Sequence, residues 1–125
     1  MTPDDIRDMF SAFGPVEVRR MFSGSGVFVD RTMIALIHRD TIYLKAGAES
    51  AAAFEREGLG CFTYRRAGKA AALTSYRRMP ERLYDDPEEL AIWARQALAA
   101  ARAAAVKPAG LRKAARGRNG GPRRG

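Results

Sequence analysis

Apolar and polar positions follow two different periods along this chain. Ile6, Met9, Phe10 and Phe13 fall at i, i+3, i+4 and i+7, the spacing of one helical face. Thr2-Pro3-Asp4-Asp5 stands before them. Thr2 can cap the helix, Pro3 suits its first turn, and Asp5 sits where a capping box places an acid. Gly14-Pro15 ends the helix, since proline cannot continue it and glycine permits a left-handed exit. From Val16 the pattern changes. Val16 to Phe22 and Val27 to Val29 read as strands joined by a Ser/Gly break, Ser23-Gly24-Ser25-Gly26, whose glycines can take φ > 0. Asp30-Arg31 and Arg39-Asp40 read as tight turns on either side of a strand, Thr32 to His38. Simple alternation puts Met33, Ala35 and Ile37 on one of its faces and Ile34 and Leu36 on the other. Apolar residues on both faces mark a central strand. Thr41 to Lys45 is the next strand. Turns this short demand antiparallel pairing, so residues 16–45 are expected to form a β-meander.

The helical period returns at Ala48 to Glu57, a short helix with Ala51 and Phe54 turned inward, ended by Gly58 with Leu59 packed over its end. Cys61 to Tyr64 and Ala70 to Tyr76 are two further strands around a turn at Ala67-Gly68. Asp86, Pro87, Glu88 and Glu89 open the last helix as cap, first residue and dipole partners. Leu90, Trp93, Ala94, Ala97, Leu98 and Ala101 trace its buried face, and it is expected to fade near Ala105 because Pro108 follows. The fold class predicted is α+β: two layers, an antiparallel sheet of about five or six strands with N-terminal, middle and C-terminal helices packed on it.

Charge divides the chain differently. The net charge is +8, but seven of the cations are Lys107, Arg112, Lys113, Arg116, Arg118, Arg123 and Arg124, in a stretch without an acid. Residues 1–106 hold 15 Lys+Arg against 14 Asp+Glu. The expected organisation is therefore a nearly neutral folded body, 1–106, and a disordered basic tail, 107–125, with little to bury. An arginine-rich, glycine-spaced arm can neutralise phosphates without reading bases; a solvated extension is the alternative, and the residues leave both open. The single cysteine, Cys61, has no partner for a disulfide or a zinc site, which fits a reducing cytoplasm. No apolar run is long enough to span a bilayer, and the N-terminus lacks the layout of a secretion signal.

The candidate chemistry is sparse. Ser23 to Gly26 lacks the Gly-Lys-Ser/Thr and the following helix of a phosphate-binding loop. Ser25 is not in a Gly-x-Ser-x-Gly elbow. His38, the only histidine, is expected to flank a turn, and Cys61 to be half-buried. Tyr43, Tyr64, Tyr76 and Tyr84, with Phe28, Phe62 and Trp93, are readable as base-stacking platforms, and more simply as ordinary strand residues. The pairs Arg19-Arg20, Arg65-Arg66 and Arg77-Arg78 are read as solvated strand ends. No catalytic residue, metal ligand or cofactor is assigned.

Arg20-Met21-Phe22-Ser23-Gly24-Ser25-Gly26-Val27-Phe28-Val29-Asp30, then Met33 to Ile37, then Ile42-Tyr43-Leu44-Lys45, resembles the N-terminal domain of the TfoX/Sxy family. Phe62-Thr63-Tyr64, Tyr76 to Pro80 and the Asp86 to Ala94 helix start match later segments of the same pattern, so that the resemblance covers residues 1 to about 103. Ser23 stands where the family favours glycine, Ser25 where an aromatic is common, and Gly47 where a capping Asp is usual. The resemblance implies a two-layer α/β fold and a bacterial, non-enzymatic co-regulator of transcription, linked to DNA-uptake competence and working through a protein partner. It supplies no catalytic residues. Arg20, Met21, Phe22, Ser23, Gly24, Ser25 and Gly26 are the candidate interaction segment, and the seven tail cations the candidate nucleic-acid contacts. Full-length regulators carry a second, helical domain; only a short basic stretch follows Ala105 here, so a stand-alone N-terminal domain is expected, as monomer or homodimer. An enzyme with a site at Ser23–Gly26 is the remaining alternative.

Overall fold

The computed structural model describes residues 1–21 and 24–111, with the backbone alone at 64–66, 70, 74 and 106–111. The first helix, α1 (Pro3–Met9), starts with the capping box that its sequence announces. The Asp5 N–H donates to Thr2 Oγ1 at 3.1 Å, and the Thr2 N–H donates to Asp5 Oδ2 at 2.9 Å. That backbone N–H is the main reason the Asp5 carboxyl is held below its ordinary range. Ile6 and Phe10 are buried beneath the helix.

Strands β1 (Glu17–Met21), β2 (Gly24–Val29), β3 (Thr32–His38) and β4 (Thr41–Lys45) form the antiparallel meander. Asp30 and Arg31 have φ of 48° and 70°, and Arg39 and Asp40 have 51° and 60°. Two successive positive φ values define the mirror-image turn whose twist matches a hairpin. Both turns are built without glycine, at a strain of about 1 kcal/mol or more per residue.

Alternation along β3 does not hold. Val27 pairs with Ala35, whereas Phe28 pairs with Met33, which leaves Ile34 as the extra residue of a β-bulge. The expected faces are corrected accordingly. Ile34 joins Ala35 and Ile37 in the main core, and Met33 lies with Leu36 on the opposite side. The expected Ser/Gly break is corrected too. Gly24 to Gly26 are part of β2, paired with β1 on one side and β3 on the other. Met21 pairs with Gly24, so only residues 22 and 23 connect β1 to β2.

Helix α2 (Ala51–Arg56) is shorter than expected. Its end is a Schellman motif: Gly58 has φ 68°, its N–H bonds the Glu55 carbonyl at 3.0 Å, and the Leu59 N–H bonds the Phe54 carbonyl at 3.0 Å. Strands β5 (Cys61–Arg66) and β6 (Lys69–Arg78) follow, and the sheet order is β1-β2-β3-β4-β6-β5. A 3₁₀ turn (Glu81–Asp85) leads to α3 (Pro87–Leu111). Asp86 caps α3 by accepting the Glu89 N–H at 3.1 Å.

Helix α3 lies over β3 and β4. Leu90, Ala91, Ala94, Ala97 and Ala101 are buried on this contact, and the alanines let the helix approach closely. The core between helices and sheet also contains Phe10, Val27, Ile37, Ile42, Leu44 and Phe54. The helix does not stop near Ala105; it continues to Leu111. Pro108 removes the N–H that would bond the Ala104 carbonyl and crowds that carbonyl, but the run Ala99 to Ala105 before it consists mostly of the strongest helix former. Lys107, expected in the tail, is therefore in this helix.

Candidate functional site

Residues directly opposite on antiparallel strands share a face. The row Val18–Val27–Ala35–Leu44 faces the helices. The neighbouring row Arg19–Gly26–Leu36–Tyr43–Arg78 faces away from them, as do the pairs Phe28–Met33 and Lys45–Tyr76. On this second face Leu36, Phe62 and Tyr76 form their own cluster, with Met33 and Tyr43 packed against it. Every member comes from a strand, and among the described residues no helix covers it.

The cluster is cupped rather than flat. Phe62, on the outermost strand, meets Tyr43 of β4 with ring centroids 5.1 Å apart and His38 of β3 at 5.4 Å, both edge-to-face. In a flat sheet β3 and β5 are three strand spacings apart, roughly 14 Å. The contact requires the β5–β6 hairpin to curl over the face. The register provides the bend: Cys61 pairs with Arg77 but Phe62 with Leu73, so three residues of β6 are extra at that point.

Cations edge the same face. The Arg19 guanidinium lies 4.9 Å from the Phe28 ring centre, and Lys45 Nζ lies 5.0 Å from that of Tyr76. Arg19 also reaches Glu17 at 3.0 Å, and Arg78 lies 3.9 Å from Glu81. Lys45 donates to Ser75 Oγ at 3.1 Å, and among the described residues no carboxylate pairs with it. Burial lowers the Lys45 pKa, and burial pushes the Tyr76 phenol up to about 12. Gly26 completes the floor. A Cβ there would come within 3 Å of Met21 Sδ, Phe28 Cε1 and Met33 Sδ, so these three side chains close over the bare backbone.

The candidate segment Arg20 to Gly26 is thus divided between the faces. Met21, Gly24 and Gly26 belong to the open face; Arg20 and Ser25 share a row with Ile37 on the helix side. Phe22 and Ser23 lie outside the described residues, as do Arg112, Lys113, Arg116, Arg118, Arg123 and Arg124 of the tail. Gly24 has a steric duty rather than a torsional one. Its φ is not in the left-handed region, but a Cβ would overlap the Ile37 carbonyl oxygen. Ser25 and His38 point to opposite faces, and Cys61 shares a helix-side row with Arg77; these side chains do not converge on a reacting atom. Among the described residues no group of three or more His, Cys, Asp or Glu is placed to hold a metal, and no helix is long and apolar enough to cross a membrane. An open depression lined by Asp5, Asp8 and Asp40 exists beside Met1, Met9 and Tyr84. Asp5 is committed to its capping box, and Asp40 to the N-terminal ammonium at 3.1 Å.

Three polar side chains prove architectural. Arg77, read as a solvated strand end, is corrected: its side chain is only 16% exposed. Arg77 donates to the Leu59 carbonyl at 2.7 and 3.1 Å and to Glu55 at 2.9 Å, which fastens α2 to the sheet. Arg82 forms two bidentate pairs, with Glu57 at 2.8 and 3.0 Å and with Glu89 at 2.8 and 3.0 Å. These bonds hold both carboxyls below their ordinary range. Tyr84 Oη accepts the Ile42 N–H at 2.8 Å. Sequence reasoning passed over Met33 and Lys45. Alternation from Tyr43 would have placed Lys45 on the aromatic face; the bulge concealed Met33.

A six-stranded antiparallel sheet with helices on one side, and an apolar, cation-edged cluster on the other, defines a two-layer α+β module. The chain belongs to the family of the TfoX N-terminal domain, whose model matches residues 8–101. That span runs from α1 through the sheet and into α3. A comparison with curated proteins gives no match.

Proposed function

We propose that this chain is a non-enzymatic, cytoplasmic bacterial protein that binds a protein partner and thereby co-regulates transcription, in control of the competence type. The observation that carries the reading is membership of the TfoX N-terminal domain family over residues 8–101. The half-buried Met21, Phe28, Met33 and Tyr43 on the helix-free face support it, because apolar side chains gathered on one accessible face mark interaction sites. The test is an affinity capture from native bacterial extract, with and without nuclease. A transcription regulator retained after nuclease treatment supports the reading. Loss of every specific partner on nuclease treatment removes it.

A second reading rests on the seven cations from Lys107 to Arg124, which have no acid among them. On this reading the C-terminal stretch binds nucleic acid non-specifically. Deletion of 112–125, which leaves α3 whole, should then abolish DNA binding that weakens steeply between 50 and 200 mM salt. DNA binding that is unchanged by the deletion, or absent in both forms, rejects it.

A further inference from the structure

We infer that the cup on the helix-free face of the sheet is the docking site for an acidic segment of a partner protein that carries large apolar anchors. The inference rests on the protein-binding reading above and names the surface and the partner chemistry.

The centre of the cup is apolar and adaptable. Met21 and Met33 meet over Gly26, and Phe28 closes beside them. Met33 also packs on the Leu36–Phe62–Tyr76 cluster, so the two halves are continuous. Methionine side chains are unbranched and polarizable, and re-pack around a ligand more readily than other apolar residues. Such a surface suits leucine or phenylalanine anchors spaced along a helix or an extended segment.

Charge decides the sign of the partner. Arg19, Lys45 and Arg78 stand on this face, and the acids beside them, Glu17 and Glu81, are already engaged with Arg19 and Arg78. Lys45 has a hydroxyl and a ring as neighbours but no carboxylate among the described residues. It is half-buried, so a carboxylate arriving there meets a partly desolvated cation, where a charge pair is stronger than at an open surface. A basic segment would be repelled by Lys45, the one cation of the three without a carboxylate among the described residues.

The other polyanion, single-stranded nucleic acid, fits less well. Stacking requires open ring faces. Phe62 and Tyr76 are each only 8% exposed, and Arg19 and Lys45 already lie over the faces of Phe28 and Tyr76. The face offers half-buried apolar side chains with a cationic edge rather than a row of free rings.

The methionines make the test direct, because four of the chain's five divide by face, and the fifth, Met1, is the exposed first residue. Met79 is 1% exposed and Met9 is packed in the helix-side core, whereas Met21 and Met33 lie in the cup. Methyl-¹³C-methionine spectra of the full chain are to be recorded during titration with a 16-residue peptide. Its leucine and phenylalanine are spaced at i, i+3, i+4 and i+7, and glutamate fills the other positions. The expected result is a progressive shift of Met21 and Met33 with Met9 and Met79 unmoved. The same peptide with lysine for glutamate should bind at least ten-fold more weakly. Lys45→Glu should weaken the acidic peptide by at least ten-fold; Lys45→Gln, which introduces no new charge, should weaken it less and serves if the first variant fails to fold. Absence of a shift with the acidic peptide, equal binding of the basic peptide, shifts confined to Met9 and Met79, or a larger response of Met21 and Met33 to an oligothymidylate would each overturn the inference. A regulator captured equally by wild type and Lys45→Glu would also overturn it, while leaving the protein-binding reading in place.

Discussion

Replacing Gly24 by alanine adds one methyl group at the point where β2 passes β3. The added Cβ would overlap the Ile37 carbonyl oxygen and stand 3.0 Å from the Ile37 carbonyl carbon. Both atoms are backbone in the middle of a six-stranded sheet, so no side chain can turn aside. The strands must separate by more than 1 Å, which lengthens the β2–β3 hydrogen bonds at this end and opens the contact above Ile37, itself buried. Inserting one methyl group into a well-packed interior typically costs about 1–3 kcal/mol. Loss of ladder hydrogen bonds, worth about 1 kcal/mol each, brings the expectation to at least about 3 kcal/mol. Gly26→Ala is the internal control. Its Cβ would also be crowded, but the atoms it meets are the flexible ends of Met21, Phe28 and Met33. Those ends can rotate, and a cost near 1 kcal/mol is expected. Urea unfolding followed by the fluorescence of the single tryptophan, Trp93, measures both. That indole packs edge-to-face on Phe54 at 5.1 Å and so reports the core. At a slope of about 1–3 kcal/mol per molar urea, Gly24→Ala should lower the midpoint by at least about 1 M, and Gly26→Ala by less than half as much. Equal costs for the two, or a cheaper Gly24→Ala, would refute the reasoning.

The remaining predictions concern side chains that fasten the layers. Tyr84→Phe leaves the N–H of fully buried Ile42 without its acceptor and should cost about 1–3 kcal/mol by urea unfolding; a loss below 0.5 kcal/mol would mean that water replaces the phenol. Arg31→Gly relieves a φ of 70° at an exposed turn position and should stabilise the chain by about 1 kcal/mol, read as a higher melting temperature; an unchanged or lower value contradicts the turn assignment. Glu57 and Glu89 are depressed in the folded chain by their bonds to Arg82, from an ordinary value of 4.5. A depressed folded pKa means stability that is complete above 4.5 and is lost as pH falls through the folded value. Wild type should therefore lose stability below pH 4.5, and Arg82→Gln should lose less over the same range; parallel pH profiles would remove the network from the account.

The features that were legible in the sequence are those set by local chemistry. The Thr2–Asp5 capping box, the Gly58 exit, the Asp86 cap and the three hairpin turns each depend on residues within a few positions of one another, and each is where its sequence placed it. The features that were not legible depend on contacts between distant segments. The bulge at Ile34 breaks a period of two that the sequence of β3 appears on its own to satisfy, because the register is decided by the pairing with β2. Gly24 suggested left-handed backbone and instead marks a close approach to β3, thirteen residues away. Arg77 read as exposed because nothing nearby in sequence reveals the Leu59 carbonyl that receives it. The cup is the largest such case. Phe62, Tyr43 and His38 are ordinary strand residues taken singly, and only the slip between β5 and β6 brings them together over one face.

The two faces of the sheet differ, one roofed by helices and the other without a helix over it among the described residues. A soluble nitroxide broadens methyl signals according to their access to solvent, and the methionines report both faces. The account predicts strong broadening of Met21 and Met33 with Met79 spared. Equal protection of all three would contradict it.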